Sequence, residues 1–120
     1  MPREAKVFVA EDDPDWQEVI EEILKGDGHI VVARATTRIQ ALEIAKQLSS
    51  LGANVATVDG NLNPNDSDGY DGRAVVREIR KHAPDVKIVG FSGNRSGVPG
   101  ADIQGWKGEA INLANIVRNL

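Results

Sequence analysis

Short apolar runs that end abruptly in polar residues, alternating with stretches of helical period, constrain this chain more than any other feature. Lys6-Val7-Phe8-Val9-Ala10 runs into Glu11-Asp12-Asp13, Val55-Ala56-Thr57-Val58 into Asp59, and Val86-Lys87-Ile88-Val89-Gly90-Phe91 into Ser92. His29 to Ala33 and a last run from Asp102 to Trp106, which meets Lys107-Gly108, read as two further strands. Between them, Trp16, Val19, Ile20, Ile23 and Leu24 recur at three and four behind Pro14, which suits the first turn of a helix, and that helix ends near Gly26 to Gly28. Thr36 or Thr37 can cap a second helix that carries Ile39, Leu42, Ile44, Ala45, Leu48 and Leu51 and stops at Gly52. Gly72 precedes a third with Ala74, Val75, Val76 and Ile79, closed by His82-Ala83-Pro84, and Glu109 to Leu120 reads as the closing helix, with Ile111, Leu113 and Val117 among its apolar positions. Apolar strands alternating with amphipathic helices imply an α/β domain whose parallel sheet is covered on both faces. One helix is missing between the fourth and fifth strands.

The chain's 120 residues make one ordinary domain. Its formal net charge of -4, with no clustered Lys and Arg stripe, argues against a nucleic-acid surface. The absence of cysteine excludes disulfides, thiolate metal sites and Cys nucleophiles. No apolar run approaches the roughly 20 residues of a membrane span, and the polar start is no signal peptide, so a cytoplasmic location is expected by elimination.

Open parallel sheets build their sites at the carboxyl ends of their strands, and there the sequence delivers Asp12, Asp13 and Asp59. Carboxylates brought together repel unless a cation sits among them, and oxygen ligands of this kind suit Mg²⁺. The alternative is plain: Asp12 and Asp13 also stand just ahead of a helix, where its dipole favours negative charge. Ser92 can hydrogen-bond a phosphoryl oxygen or cap the turn at Gly93, and Lys107 can reach the same rim or remain an ordinary surface lysine. Asn61 can offer its backbone carbonyl to a cation. His29 and His82 have no serine or carboxylate partner at a spacing that supports a triad, and the glycines form no GxGxxG or GxxxxGK[ST]. Trp16 is expected in the core, and the stretch from Gly60 to Asp71 is longer than the about 2 to 6 residues usual for such a loop.

Taken in order, Glu11-Asp12-Asp13-Pro14, Asp59 with Asn61, Asp71-Gly72, Ser92, Gly100-Ala101-Asp102 and Lys107 give a sequence that resembles the receiver domain of two-component response regulators. The resemblance covers the whole chain, residues 1–120. It implies a five-stranded parallel sheet of flavodoxin-like order 2-1-3-4-5 and Asp59 as phosphoacceptor. It further implies Mg²⁺ held by Asp12 or Asp13 with Asp59 and the Asn61 carbonyl, Asp13 being the expected direct ligand. Ser92 and Lys107 would contact the phosphoryl group. The implied partners are a sensor histidine kinase or phosphotransfer protein and a downstream protein, and hydrolysis at Asp59 would reset the state.

Three departures accompany the resemblance. The loop after Asp59 is several residues longer. Only 15 positions separate Ser92 from Lys107, so the family's fourth helix is expected to be absent or reduced to a turn, which leaves that region open to a homodimer contact. The family's switch aromatic, three before the lysine, is Gln104, and Gly108 replaces the usual proline. A receiver-like binding module with vestigial phosphorylation, acting as a constitutive interaction domain, is the alternative reading.

Overall fold

The computed structural model describes residues 4–60, 62, 70–93 and 97–120. The Asn61 carbonyl and the greater part of the loop after Asp59 lie outside them. Five strands, β1 (Lys6–Ala10), β2 (Ile30–Ala35), β3 (Val55–Val58), β4 (Lys87–Ser92) and β5 (Ile103–Trp106), pair in parallel in the order β2-β1-β3-β4-β5. Every residue of β3 is buried, as are all but the first of β1 and β4, whereas the edge strands β2 and β5 are partly open. This is why the central runs read as continuous apolar stretches.

Alternate side chains feed two cores. Val7, Val9, Val55, Val89 and Phe91 face α1 (Pro14–Gly26), meeting Ile20 and Leu24, and they also meet Leu113 and Val117 near the C-terminus. Phe8, Ala10, Ala56, Val58 and Ile88 face the other way, toward α2 (Arg38–Ala45), α3 (Leu48–Leu51) and α4 (Tyr70–His82). Strand order reverses between β1 and β3, so their carboxyl ends flank the crevice where such folds bind ligands.

Two helices differ from expectation. The single helix anticipated from Thr37 to Leu51 is broken: Lys46 and Gln47 donate their N–H groups to the carbonyls of Glu43 and Ile44, three residues back, and α3 restarts at Leu48. It closes at Gly52 (φ 73°) in the Schellman pattern, with Ala53 N donating to Leu48 O at 3.1 Å and Gly52 N to Ser49 O at 3.2 Å. The closing helix is shorter than expected. Lys107–Asn112 form a 3₁₀ segment kinked at Glu109 (φ -124°, ψ 47°), and only Leu113–Arg118 are α-helical (α5). The kink turns Ile111 outward, 84% exposed, while Leu113 and Val117 stay buried.

Between β4 and β5 the described residues form no helix. Val98, fully buried, takes a place in the core beside Val75 and Val76. The segment is pinned by side chains: Val98 N donates to Gln104 Oε1 (2.9 Å), Gln104 Nε2 donates to Val98 O (2.8 Å), and Arg80 donates to Gly100 O (3.0 Å). Asp102 Oδ2 accepts from Ile88 N at 2.7 Å and holds the start of β5 to β4.

Candidate phosphoacceptor site

Pro14 stands at the first position of α1, so the residue before it is the N-cap. Asp13 fills that role: its Oδ1 accepts from Asp15 N at 2.9 Å. The carboxylates that gather at the rim are those of Glu11, Asp12 and Asp59, whose nearest oxygens all lie within 4.8 Å of one another. Asp13, expected as a direct ligand, is therefore replaced by Glu11 in the acidic group. The signal was in the sequence, because Pro14 commits its predecessor to capping and moves the converging pair one residue back toward the strand.

The backbone around the group is held from several sides. Asp59 N donates to Ala10 O at 3.0 Å, and Glu11 N donates to Ala35 O at 2.9 Å. Gln17, on the buried side of α1, donates through Nε2 to the carbonyls of Glu11 (3.1 Å) and Ala35 (2.9 Å), fixing the turn that presents Glu11. Nothing in residue type or spacing singles out Gln17. On the other flank, Asp71 Oδ2 accepts from Leu62 N at 3.2 Å, and Gly72 N donates to Gly60 O at 2.9 Å. A Cβ at Gly72 would stand 2.5 Å from Asp59 O and 2.7 Å from Gly60 Cα, so only glycine lets α4 approach the strand end so closely.

Lys107 crosses from the end of β5 into the group. Its Nζ donates to Asp59 Oδ2 at 3.1 Å, pairs with Glu11 Oε1, and lies 5.1 Å from the centroid of the Trp16 ring. Trp16, half-buried, meets Phe91 edge-on at 5.9 Å and so walls the site as well as closing the core. Burial, and then the adjacent Asp59 carboxylate, push the Glu11 carboxyl up to about 9 against the opposing pull of Lys107. Burial alone would lower the Lys107 ammonium, but Glu11 and Asp59 outweigh it and hold the group above its usual value. Both Glu11 oxygens are buried without a properly directed hydrogen bond. An oxygen-only donor set with unused acceptor capacity at a buried carboxylate fits a hard divalent cation.

Ser92, buried at the end of β4, stands in register with Trp106, one residue before Lys107. The structure thus brings Asp12, Asp59 and Lys107 together, sets Ser92 at the neighbouring strand end, and leaves Asp13 as a cap. His29, as expected, has a structural role, accepting Ala5 N at Nδ1 (3.0 Å) and pairing with Asp27 through Nε2 (3.1 Å).

Residues 7–101 match the family model of the response regulator receiver domain. The fold is similar to that of the receiver domain of the sensor histidine kinase PA1611 from Pseudomonas aeruginosa, with a TM-score of 0.77, 24% identity, and 98% of this chain and 97% of that chain covered. That structure carries a magnesium ion coordinated in its active-site cleft. A CheY-like receiver domain from Methylobacillus flagellatus superposes with a TM-score of 0.74 at 23% identity, over 98% of each chain. The isolated receiver domain of RcsB from Salmonella enterica, solved with the phosphomimetic BeF₃⁻, gives 0.72 at 21% identity over 95% of this chain and 85% of that one. No curated protein matches the chain.

Proposed function

Because the chain belongs to the response regulator receiver family, we propose that Asp59 accepts a phosphoryl group from the phosphohistidine of a kinase or phosphotransfer protein. A carboxylate oxygen of Asp59 forms a bond to phosphorus as the P–N bond breaks, and the departing imidazole takes up a proton. The observation that carries this reading is the Lys107 Nζ to Asp59 Oδ2 pairing at 3.1 Å beside the acidic group at the crevice. Lys107 neutralises the entering phosphoryl oxygens as its pairing with the Asp59 carboxylate is exchanged for one with the phosphate. Ser92 donates its hydroxyl from the adjoining strand end.

Mg²⁺ is the cation this reading requires, held by Asp12 and Asp59 with Glu11 beside them, and when bound it supplies positive charge to the phosphoryl oxygens. The reading places the protein in the cytoplasm, signalling by protein contact; among the described residues no helix is long and apolar enough to cross a membrane. The test is reaction with acetyl phosphate and Mg²⁺ followed by intact mass. A single added phosphoryl group, absent from Asp59→Asn and from EDTA-treated protein, is the expected result. An unmodified wild type, or equal modification of Asp59→Asn, refutes it.

A second reading, a constitutive interaction module, draws on Gln104. Its amide is committed at both ends to Val98, so the position offers no ring to rotate. Partner binding that is identical with and without the phosphoryl group would favour this reading.

A further inference from the structure

Six arginines lie among the described residues, and four of them are ion-paired: Arg34 with Glu21, Arg38 with Asp71, Arg80 with Asp102 and Arg118 with Asp27. Arg73 and Arg77 are the exceptions; both are exposed and neither has a carboxylate partner among the described residues. They lie one helical turn apart on α4, in line with Arg80, and border a groove of about 440 Å³ lined also by Val76, Pro99 and Gly100. The groove exists because the connection from β4 to β5 is short and non-helical, which leaves this flank of α4 uncovered.

The molecule carries a matching surface of opposite sign. On α1, Asp15, Glu18 and Glu22 are exposed and without ion-pair partners among the described residues, while the neighbouring Glu21 is taken by Arg34 and Lys25. Their spacing of three and four keeps them on one helical face over about 10 Å, the same length that Arg73, Arg77 and Arg80 span. Val19, 39% exposed, projects from the edge of the acidic stripe and is the apolar counterpart to the Val76 and Pro99 floor.

We propose that the groove between α4 and the 98–100 turn receives α1 of a second copy of this chain, with Asp15, Glu18 and Glu22 against Arg73 and Arg77. The two surfaces lie on opposite faces of the sheet, since α1 packs on the Val7 side and α4 on the Phe8 side. The contact is therefore heterologous, and copies add head to tail without an isologous dimer. One helix in one groove buries less than the about 1,200 Å² of a stable interface, so association is weak, rises with concentration and is screened by salt.

Sedimentation equilibrium of the full chain tests this directly. Weight-average mass should climb with concentration in about 0.02 M NaCl, and the association should weaken about fivefold or more in about 0.3 M. Arg73→Glu/Arg77→Glu and Glu18→Lys/Glu22→Lys should each stay monomeric alone, yet associate when mixed, because each then meets an opposite charge on both faces. A constant monomer mass for the wild type, wild-type association by either variant alone, or no association in the mixture overturns the proposal. The charge-preserving Arg73→Lys/Arg77→Lys variant supplies a second readout independent of reversed charges. Carbodiimide should link its α4 to the peptide holding Asp15, Glu18 and Glu22, and cross-links confined to other peptides count against the interface.

Discussion

Replacing Lys107 with methionine keeps the length of the side chain and removes its charge from a rim where Glu11 is fully buried and Asp59 is 6% exposed. With its carboxyl pushed up to about 9, Glu11 holds its proton at pH 7, so the charge left uncompensated is chiefly that of Asp59, 3.1 Å from the lost ammonium. Removing one partner of a buried pair costs about 3 to 5 kcal/mol, and the protonated Glu11 keeps this case at the lower end, about 3 kcal/mol. At about 2.1 cal/mol/K of unfolding entropy per residue, a domain of this size loses about 12 °C in Tm. The measurement is thermal or urea unfolding in EDTA at pH 7, repeated in Asp59→Asn and in the double variant. Coupling of about 2 kcal/mol or more is expected between the two positions, and added Mg²⁺ should recover part of the loss by supplying the missing positive charge. A loss below about 1 kcal/mol, or additive effects, would refute the buried pairing on which the site rests.

Three more outcomes follow from particular contacts. Asp13→Ala should cost about 1 kcal/mol of stability through the lost N-cap while leaving Mg²⁺-dependent phosphorylation within about twofold, whereas Asp12→Ala should abolish it; unfolding curves and intact mass distinguish the two. Gly72→Ala should cost about 2 kcal/mol or more, because its Cβ has only the Asp59 carbonyl and Gly60 Cα to meet, and denaturant unfolding reads the loss. Asp102 is held below the usual carboxylate range: burial opposes this, but Ile88 N, then Arg80 and Lys87, outweigh it. A depressed carboxyl contributes stability above its unfolded pKa and loses it as pH falls through the folded one, so the deficit of Asp102→Ala, about 1 kcal/mol at pH 7, should vanish in acid unfolding curves below about pH 3.

The strands and the position of Asp59 were legible because a run buried on both faces has one reading once its length and its polar ending are given. Lys107 was legible only through the resemblance, since a lone lysine after a short strand reads equally as surface. The acidic pair was displaced by one residue because Asp12 and Asp13 are chemically identical and only Pro14 tells them apart. The closing helix was overdrawn for a different reason: Ile111 fits the helical period, but the kink at Glu109 turns it to solvent. Gln17 was invisible, because a buried amide bound to backbone carbonyls has no periodic or charge signature. The β4 to β5 connection was anticipated in length, yet the side-chain bonds that replace a helix there depend on contacts between residues far apart in the chain.

The Gln104 to Val98 pairing narrows the mutational routes open to this lineage. A Cβ at Gly90 or at Gly97 would collide with the Gln104 amide, so the three positions fit one another as a set. Restoring an aromatic ring at 104 would orphan both backbone groups of Val98 and require new space in β4 at the same moment. No single step toward the common aromatic form passes without loss, which makes the glutamine a historical commitment as much as a structural one.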